Sequence, residues 1–320
     1  MAAAMQRRIG RMEGHFSENK MRGAPKLAQA QRHLTVGADP EMFATDDTGK
    51  IRSVIGLIGG SKLRPLQVSE GFFVQEDNVA LEFNIQPATK KSEFIANISA
   101  GVEHCKVALG KVNLHAHIAG SVSMPDSELQ SPYAFEFGCN PFHNAWSFEK
   151  PKALSMDMLV NPADRFAAGH IHIGIPGIDS NPLLRAYWAR ALDVCLAGPA
   201  LWWMTAEELE QERVRRTMYG KAGSYRPKSY GLEYIALSNF WIKHKNRMGA
   251  VWDAINHVYH SYSPEKNGPW LGNQLNAEAE MLREAINRCD KAMAKPMLDT
   301  LLGGNTAKAL IKLPQTQASV

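Results

Sequence analysis

The sequence predicts a single α+β domain, an antiparallel β-sheet with helices packed on one face. Three observations predict it. Short stretches of alternating apolar and polar residues, separated by turn signals, run through the chain up to about residue 175, and helical spacing dominates after Pro182. A capping box, Thr205-Ala206-Glu207-Glu208, opens one of those helices. No internal repeat, low-complexity segment or linker divides the chain.

The elements follow in order. Thr35–Asp46 (TVGADPEMFATD) reads as a strand, Asp47-Thr48-Gly49 as a turn and Lys50–Ile58 (KIRSVIGLI) as the returning strand of a hairpin. GFFVQED (71–77) and VALEFNI (79–85), broken near Asn78, form a second candidate pair. Ser92 is placed to cap a helix whose stripe is Phe94, Ile95, Ile98, Val102 and Cys105. The strand NLHAHIAGSVS (113–123), the loop CNPFHNAW (139–146) and the strand GHIHIG (169–174) come next. Helices are expected from Pro182 to about Leu196, from the capping box through Arg216, and over about 247–260 and 273–293. Between them lie a loop, YGKAGSYRPKSYG (219–231), and a strand, LEYIALSNFW (232–241).

Composition bounds the class. With 320 residues, 45% hydrophobic and 21% charged, the chain is globular and neither disordered nor fibrous. No run of about 18 apolar residues is present, and no apolar core follows Arg7, Arg8 and Arg11, so a non-exported protein that does not enter membranes is expected. Cys105, Cys139, Cys195 and Cys289 form no CxxC pair, which fits reduced thiols in a cytoplasm. A formal charge of +4 does not mark a nucleic-acid binder. Residues 1–32, with seven Lys or Arg against two Glu, read as a basic N-terminal arm, 33–302 as the domain, and 303–320 as a C-terminal tail.

At a period of two, His170 and His172 share one side of their strand while Ile171, Ile173 and Ile175 take the other. Asp39 and Glu41 share a face with Gly37, and Glu82 and Asn84 lie opposite Val79, Leu81, Phe83 and Ile85. Acids gathered without Lys or Arg among them repel one another unless a divalent cation joins them. Oxygen donors outnumber nitrogen, which favours Mg²⁺, or Mn²⁺, over Zn²⁺. His115 and His117 have the same spacing as His170 and His172, so spacing leaves open which pair binds metal; the glycines of GHIHIG favour the second by allowing close approach. Residues 215–228 carry Arg215, Arg216, Lys221, Arg226 and Lys228 and no acid, a pattern that suits an anion clamp, with Gly220 and Gly223 free to wrap around what is held. It is not a GxxxxGK[ST] phosphate loop.

With GADPEMF, EDNVALEFNIQPA, FGCNPFHNAW, AGHIHIG, RRTMYGKAGSYRPKSYGLEY and LSNFW in this order over about residues 35–241, the chain resembles the phage COOH-NH2 ligases of type 2. These stand within the carboxylate-amine ligase superfamily of glutamine synthetase and glutamate-cysteine ligase. The resemblance implies a curved antiparallel sheet, a catalytic cup holding Mg²⁺ and ATP, with helices on its outer face. It assigns Asp39, Glu41, Glu82, His170 and Glu233 to metal and places Arg215, Arg216 and Arg226 around the nucleotide phosphates; Lys221 of the basic loop and His172 beside His170 are expected near the phosphates as well. Ile235 departs from the pattern, since an Arg is expected shortly after Glu233.

The implied chemistry transfers the γ-phosphoryl of ATP to a carboxylate, and an amine then displaces phosphate to give an amide or isopeptide bond. Glu82 would serve through the ion it holds, Arg216 and Arg226 would stabilise the transferring group, and Asp77 would take a proton from the amine. The substrates expected are small-molecule or peptide carboxylates and amines, acted on in the cytoplasm of a phage-infected host, with self-association of the chain as a further expectation. Two other readings of the same face are a metal-dependent hydrolase using His170 and His172, and a ligase fold retained for binding in which Ile235 marks lost catalysis.

Overall fold

The structure is a computed structural model, and it describes residues 33–136, 142–147, 159–262 and 277–313. The expected basic arm and Cys139 lie outside the described residues. The first strands are β1 (Thr35–Ala38), β2 (Glu41–Thr45), β3 (Ile51–Arg52), β4 (Leu66–Ser69), β5 (Phe72–Asp77) and β6 (Ala80–Asn84). A long helix, α1 (Lys91–Gly110), precedes β7 (His115–His117), β8 (Ser121–Ser123), β9 (His143–Asn144), β10 (Asp164–Phe166) and β11 (Ile171–Gly174). Then come α2 (Pro182–Leu192), α3 (Ala206–Met218), a hairpin of β12 (Ser224–Lys228) and β13 (Gly231–Tyr234), and four helices: α4 (Lys245–Ser261), α5 (Ala277–Arg288), α6 (Lys291–Leu302) and α7 (Gly304–Ile311).

The α+β class holds, but the strands make three antiparallel sheets among the described residues where one was expected. One has the order β1-β11-β13-β12-β9, a second is built on β3-β2-β6-β5-β4 with β7 also pairing β2, and β10 pairs β8. Consecutive strands β1 and β2 fall in different sheets, with Asp39 and Pro40 between them, and Pro40 has no N–H to donate. Main-chain bonds stitch the two larger sheets there: Glu41 N–H to the Ala168 carbonyl, Phe83 N–H to that of Pro40, and Ile85 N–H to that of Ala38. The seam thus brings β2 and β6 of one sheet beside β1 and β11 of the other.

The core lies behind this seam. Ile171 and Ile173 are fully buried in it, as their alternation predicts. α1 packs on β6 and β7, burying Phe94, Ile98, Val102, Cys105 and Leu109 at helical spacing. Segment 186–201, from the second turn of α2 through a π-helical turn at Asp193–Ala197, is rich in Ala, Val and Leu and buried throughout, its charged Arg190 and Asp193 hydrogen-bonded to Ala145 and to Trp146 and Tyr234. Cys105, Cys195 and Cys289 are buried free thiols, and among the described residues no helix is long and apolar enough to cross a membrane.

Several element boundaries differ from expectation, each for a physical reason. α1 begins at Lys91 with no side-chain cap; Ser92 lies inside it, and Glu93 reaches back to the Thr89 N–H. The strand NLHAHIAGSVS splits into β7 and β8, which join different sheets. The strand from Leu232 stops at Tyr234, and residues 239–243 coil into a short 3-10 helix. The loop 219–231 contains β12, because Ser229 and Tyr230 form a two-residue turn that closes a hairpin on β13. The helix expected over 273–293 breaks at Cys289, whose φ of 54° ends α5, and Asp290 caps α6 through the Met293 N–H. Where a polar tail was expected from Gly303, α7 forms and buries Ala307.

Candidate active site

Register aligns the chemistry. In the first sheet Gly37, His172, Glu233 and Arg226 stand opposite one another on β1, β11, β13 and β12, so their side chains leave the same face. In the second sheet Glu41, Glu82 and Gln75 form the equivalent row on β2, β6 and β5. Two groups result. Asp39, His170 and Glu233 can each offer an atom within 4.8 Å of the others, and so can Glu41, Asp77 and Glu82. Asp39 and Glu41 sit on either side of Pro40, so the groups adjoin at the seam.

In the first group, His170 Nδ1 lies 3.2 Å from Glu233 and 3.4 Å from Asp39, and His172 Nε2 lies 3.0 Å from Asp39. His170 Nε2 is 2.7 Å from the Tyr219 hydroxyl, which also accepts from Arg226 at 3.1 Å. That second contact fixes the ring and leaves Nδ1 turned toward the acids, the arrangement a metal-bound imidazole uses. His172 stacks on Tyr230 and is hydrogen-bonded to its hydroxyl. Glu233 pairs with Arg226, and with Lys228 at 2.6 Å. Burial raises the Asp39 pKa, but the two histidines outweigh it and hold this carboxyl well below its ordinary range. Glu233 is likewise lowered, burial being outweighed by His170, His172 and Arg226.

The second group behaves oppositely. Burial, reinforced by the charge of Asp77, pushes Glu41 up to about 8, although the Ala168 N–H donates to it at 2.9 Å. Glu82 is raised well above the carboxylate range, by burial first and then by Asp39, Asp77 and Glu41. Gln75 and Asn84 donate to Glu82 at 2.8 and 3.2 Å. Asp77 pairs with Lys62 at 3.0 Å.

A divalent cation fits these residues. Asp39 Oδ1 and Glu233 Oε2 are buried and face ion-pair partners, the two histidines and Lys228, and the donors are five carboxylates to one imidazole, a hard set suited to Mg²⁺ or Mn²⁺. Charge separates the two groups. Glu233 already pairs with Arg226 and Lys228 and Asp39 with His170 and His172, whereas Glu41, Asp77 and Glu82 face Lys62. The three-carboxylate group therefore has more to gain from a divalent ion. The alternative histidines stand elsewhere: His115 is exposed and pairs with Asp47 at 2.7 Å, and His117 is half-buried near Lys243 and Glu207.

The anion clamp is largely corrected. Arg215 and Arg216 are buried on the inner face of α3, both paired with Glu212. Arg215 donates to the carbonyls of Ile235, Ala236 and Leu237, and Arg216 to those of Ile286 and Ala236. Guanidiniums so occupied hold the chain after β13 and do not face an anion. Gly220 and Gly223 wrap side chains of the protein itself: a Cβ would stand 2.0 Å from the Arg215 guanidinium in one case and 2.3 Å from the Trp146 ring in the other. Lys221 is exposed. Only Arg226 and Lys228, of the five, pair with Glu233 on the site's face. Ile235 is buried with Ala168 and Tyr219 in a small apolar cluster. Gly169 does meet another backbone closely, with a Cβ position 2.4 Å from the Ser238 carbonyl.

Sequence reasoning passed over Lys62, Gln75, Tyr219 and Tyr230. The two tyrosines were visible inside the loop 219–231 but carried no signal until the hairpin folded them onto the histidines. Lys62 had none, since its partner is fifteen residues away at the end of β5.

The fold and this face define an α+β protein with paired acid clusters beside a cation row, and comparison places it further. Residues 154–297 match the sequence model of the family described as phage phiEco32-like COOH.NH2 ligase-type 2, the family its motifs resemble. His170, His172, Arg226 and Glu233 fall inside that span, and Asp39, Glu41, Asp77 and Glu82 precede it. Among solved structures, one described as apo GmaS without ligand is similar at 13% identity over 87% of this chain and 68% of its own, with a TM-score of 0.35. No curated protein matches the chain.

Proposed function

We propose that the protein is an ATP-dependent carboxylate-amine ligase that forms an amide or isopeptide bond through an acyl phosphate. The observation that carries this reading is the pair of adjoining acid clusters at the seam, flanked on one face by Arg226 and Lys228. When bound, Mg²⁺ would supply charge neutralisation for the phosphates of ATP and for the group in transfer.

The chain's own residues do the remaining work. Glu41, Asp77 and Glu82 would hold one ion, and Asp39, His170 and Glu233 a second. Tyr219 keeps the His170 ring oriented, and Glu233 holds Arg226 and Lys228 on the face where a triphosphate would lie. Arg226 takes over the phosphate-facing part expected of three arginines. Five carboxylates against one imidazole weigh against a zinc hydrolase, which would need more nitrogen donors at the water it activates. Ile235 packs with Ala168 and Tyr219 and brings no charge to the site, and Arg226 and Lys228 supply positive charge on this face.

The test is direct. With Mg²⁺ and a non-hydrolysable ATP analogue, the thermal midpoint is expected to rise, since a ligand at 100 times its Kd adds about 2.7 kcal/mol to a fold that alone can bind it. A panel of carboxylates paired with amines should then release phosphate only when both partners are present. A midpoint unmoved at saturating analogue would refute the reading.

A further inference from the structure

Lys62 lies outside every sequence motif of the site, yet its Nζ stands 3.0 Å from Asp77 Oδ2. Its charge also acts on Glu82 and Glu41, the other two members of the three-carboxylate cluster. The residue arrives on a short turn in which Ser61 and Arg64 exchange both main-chain hydrogen bonds, just after Gly59 and Gly60, and its neighbour Leu63 is 93% exposed. The Lys62 side chain is 48% exposed, against 12% for Asp77. The ammonium therefore reaches the acids from the solvent side on a tether. A cleft of about 540 Å³, lined by Lys62 with Ile55, Ser61, Asp77 and Tyr133, gives it space to swing into.

An ammonium and a divalent ion are drawn by the same oxygens. Magnesium sits about 2.0–2.1 Å from a carboxylate oxygen, and a lysine ammonium hydrogen-bonded to that same carboxylate would face it as a like charge. The geometry points to Lys62 as the resident counter-cation of the Glu41–Asp77–Glu82 cluster, one that a divalent ion displaces from Asp77 when it binds. This inference rests on the reading of that cluster as a divalent-ion site. It makes Lys62 a competitor with the ion: the residue steadies the acids in the ion-free protein and sets a threshold concentration for loading.

Calorimetric titration of the full chain with Mn²⁺ alone tests it, using wild type, Lys62→Met, Lys62→Arg and Glu82→Gln. A half-exposed ion pair contributes roughly 1 kcal/mol or less, so Lys62→Met should bind Mn²⁺ about three- to fivefold more tightly and melt earlier than wild type without metal. Lys62→Arg, which keeps the charge, should stay within about twofold of wild type, and Glu82→Gln should lose the site. Equal or weaker binding by Lys62→Met, with binding still abolished by Glu82→Gln, would overturn the role of Lys62 and leave the ion site standing. Absence of Mn²⁺ binding in wild type and Lys62→Met alike, or binding indifferent to Glu82→Gln, would overturn both.

Discussion

Glu82 shows at a single residue how burial and function pull against each other. It is 4% exposed, receives two amide donors and lies beside Glu41 and Asp77. Without an ion its ionised form is penalised by burial and by like charges, so its proton is held well above the carboxylate range. Glu82→Gln should therefore leave the melting midpoint of the ion-free protein unchanged or slightly higher, while phosphate release falls by about 100-fold or more, on the order of removing one charge-stabilising group. A midpoint lowered by many degrees would show that Glu82 is structural. Much at this scale was legible beforehand. Period two alone put Glu41, Glu82, His170 and His172 on the faces where they lie. It could not distinguish Arg215 and Arg216 from Arg226, because a basic residue on a helix gives no sign of whether its face turns inward; Glu212, one helical turn before both, is the partner that turns these two in.

Among elements, the N-terminus of α3 offers the clearest electrostatic test. The capping box forms as read, Thr205 accepting from the Glu208 N–H and Glu208 from the Thr205 N–H. Glu208 also pairs with Arg247 of α4 at 2.9 Å and with Lys243 at 2.8 Å. Burial opposes its ionisation, but Arg247 and Lys243 prevail and bring it down to about 2. A carboxyl lowered by folding adds stability that is complete above its unfolded value of about 4.3 and vanishes as pH falls through about 2. Gln can serve the box as well as Glu, so Glu208→Gln isolates the charge. The variant should lose about 2 kcal/mol at pH 7, Arg247 then facing a neutral amide, and the gap from wild type in urea midpoints should close between about pH 4.5 and 2. A gap constant with pH would refute the assignment. What eluded reading at this scale was the hairpin of β12 and β13. Its turn, Ser229-Tyr230, is not one of the Asn-Gly or Asp-Gly pairs that announce such turns, so the strand hid within an apparent basic loop.

For the molecule as a whole, the site belongs to two sheets at once. β2, β5 and β6 supply one cluster, and β13, with His170 just before β11 and Asp39 just after β1, the other. A ligand spanning both should slow amide exchange in β2 and β6 and in β11 and β13 together. Hydrogen exchange with Mg²⁺ and the ATP analogue tests this, and protection confined to one sheet would separate the clusters functionally. The sequence suggested one continuous sheet because alternation reports which face a residue takes and not which neighbour its strand pairs with. The change of partner strand falls at Asp39 and Pro40, between β1 and β2.

The single residue between Asp39 and Glu41 also limits a length. Asp39 and Glu41 are two peptide units apart, so their Cα atoms can stand at most about 7 Å from each other, whatever the sheets around them do. The interval between the two centres of negative charge is set by covalent bonds, and only their side-chain torsions remain to tune it. Thermal breathing of the fold can tilt the partners that complete each centre, but it cannot carry the centres apart. A triphosphate, whose own charges recur at a fixed bond-limited repeat, is the kind of guest for which an inextensible gauge is suited.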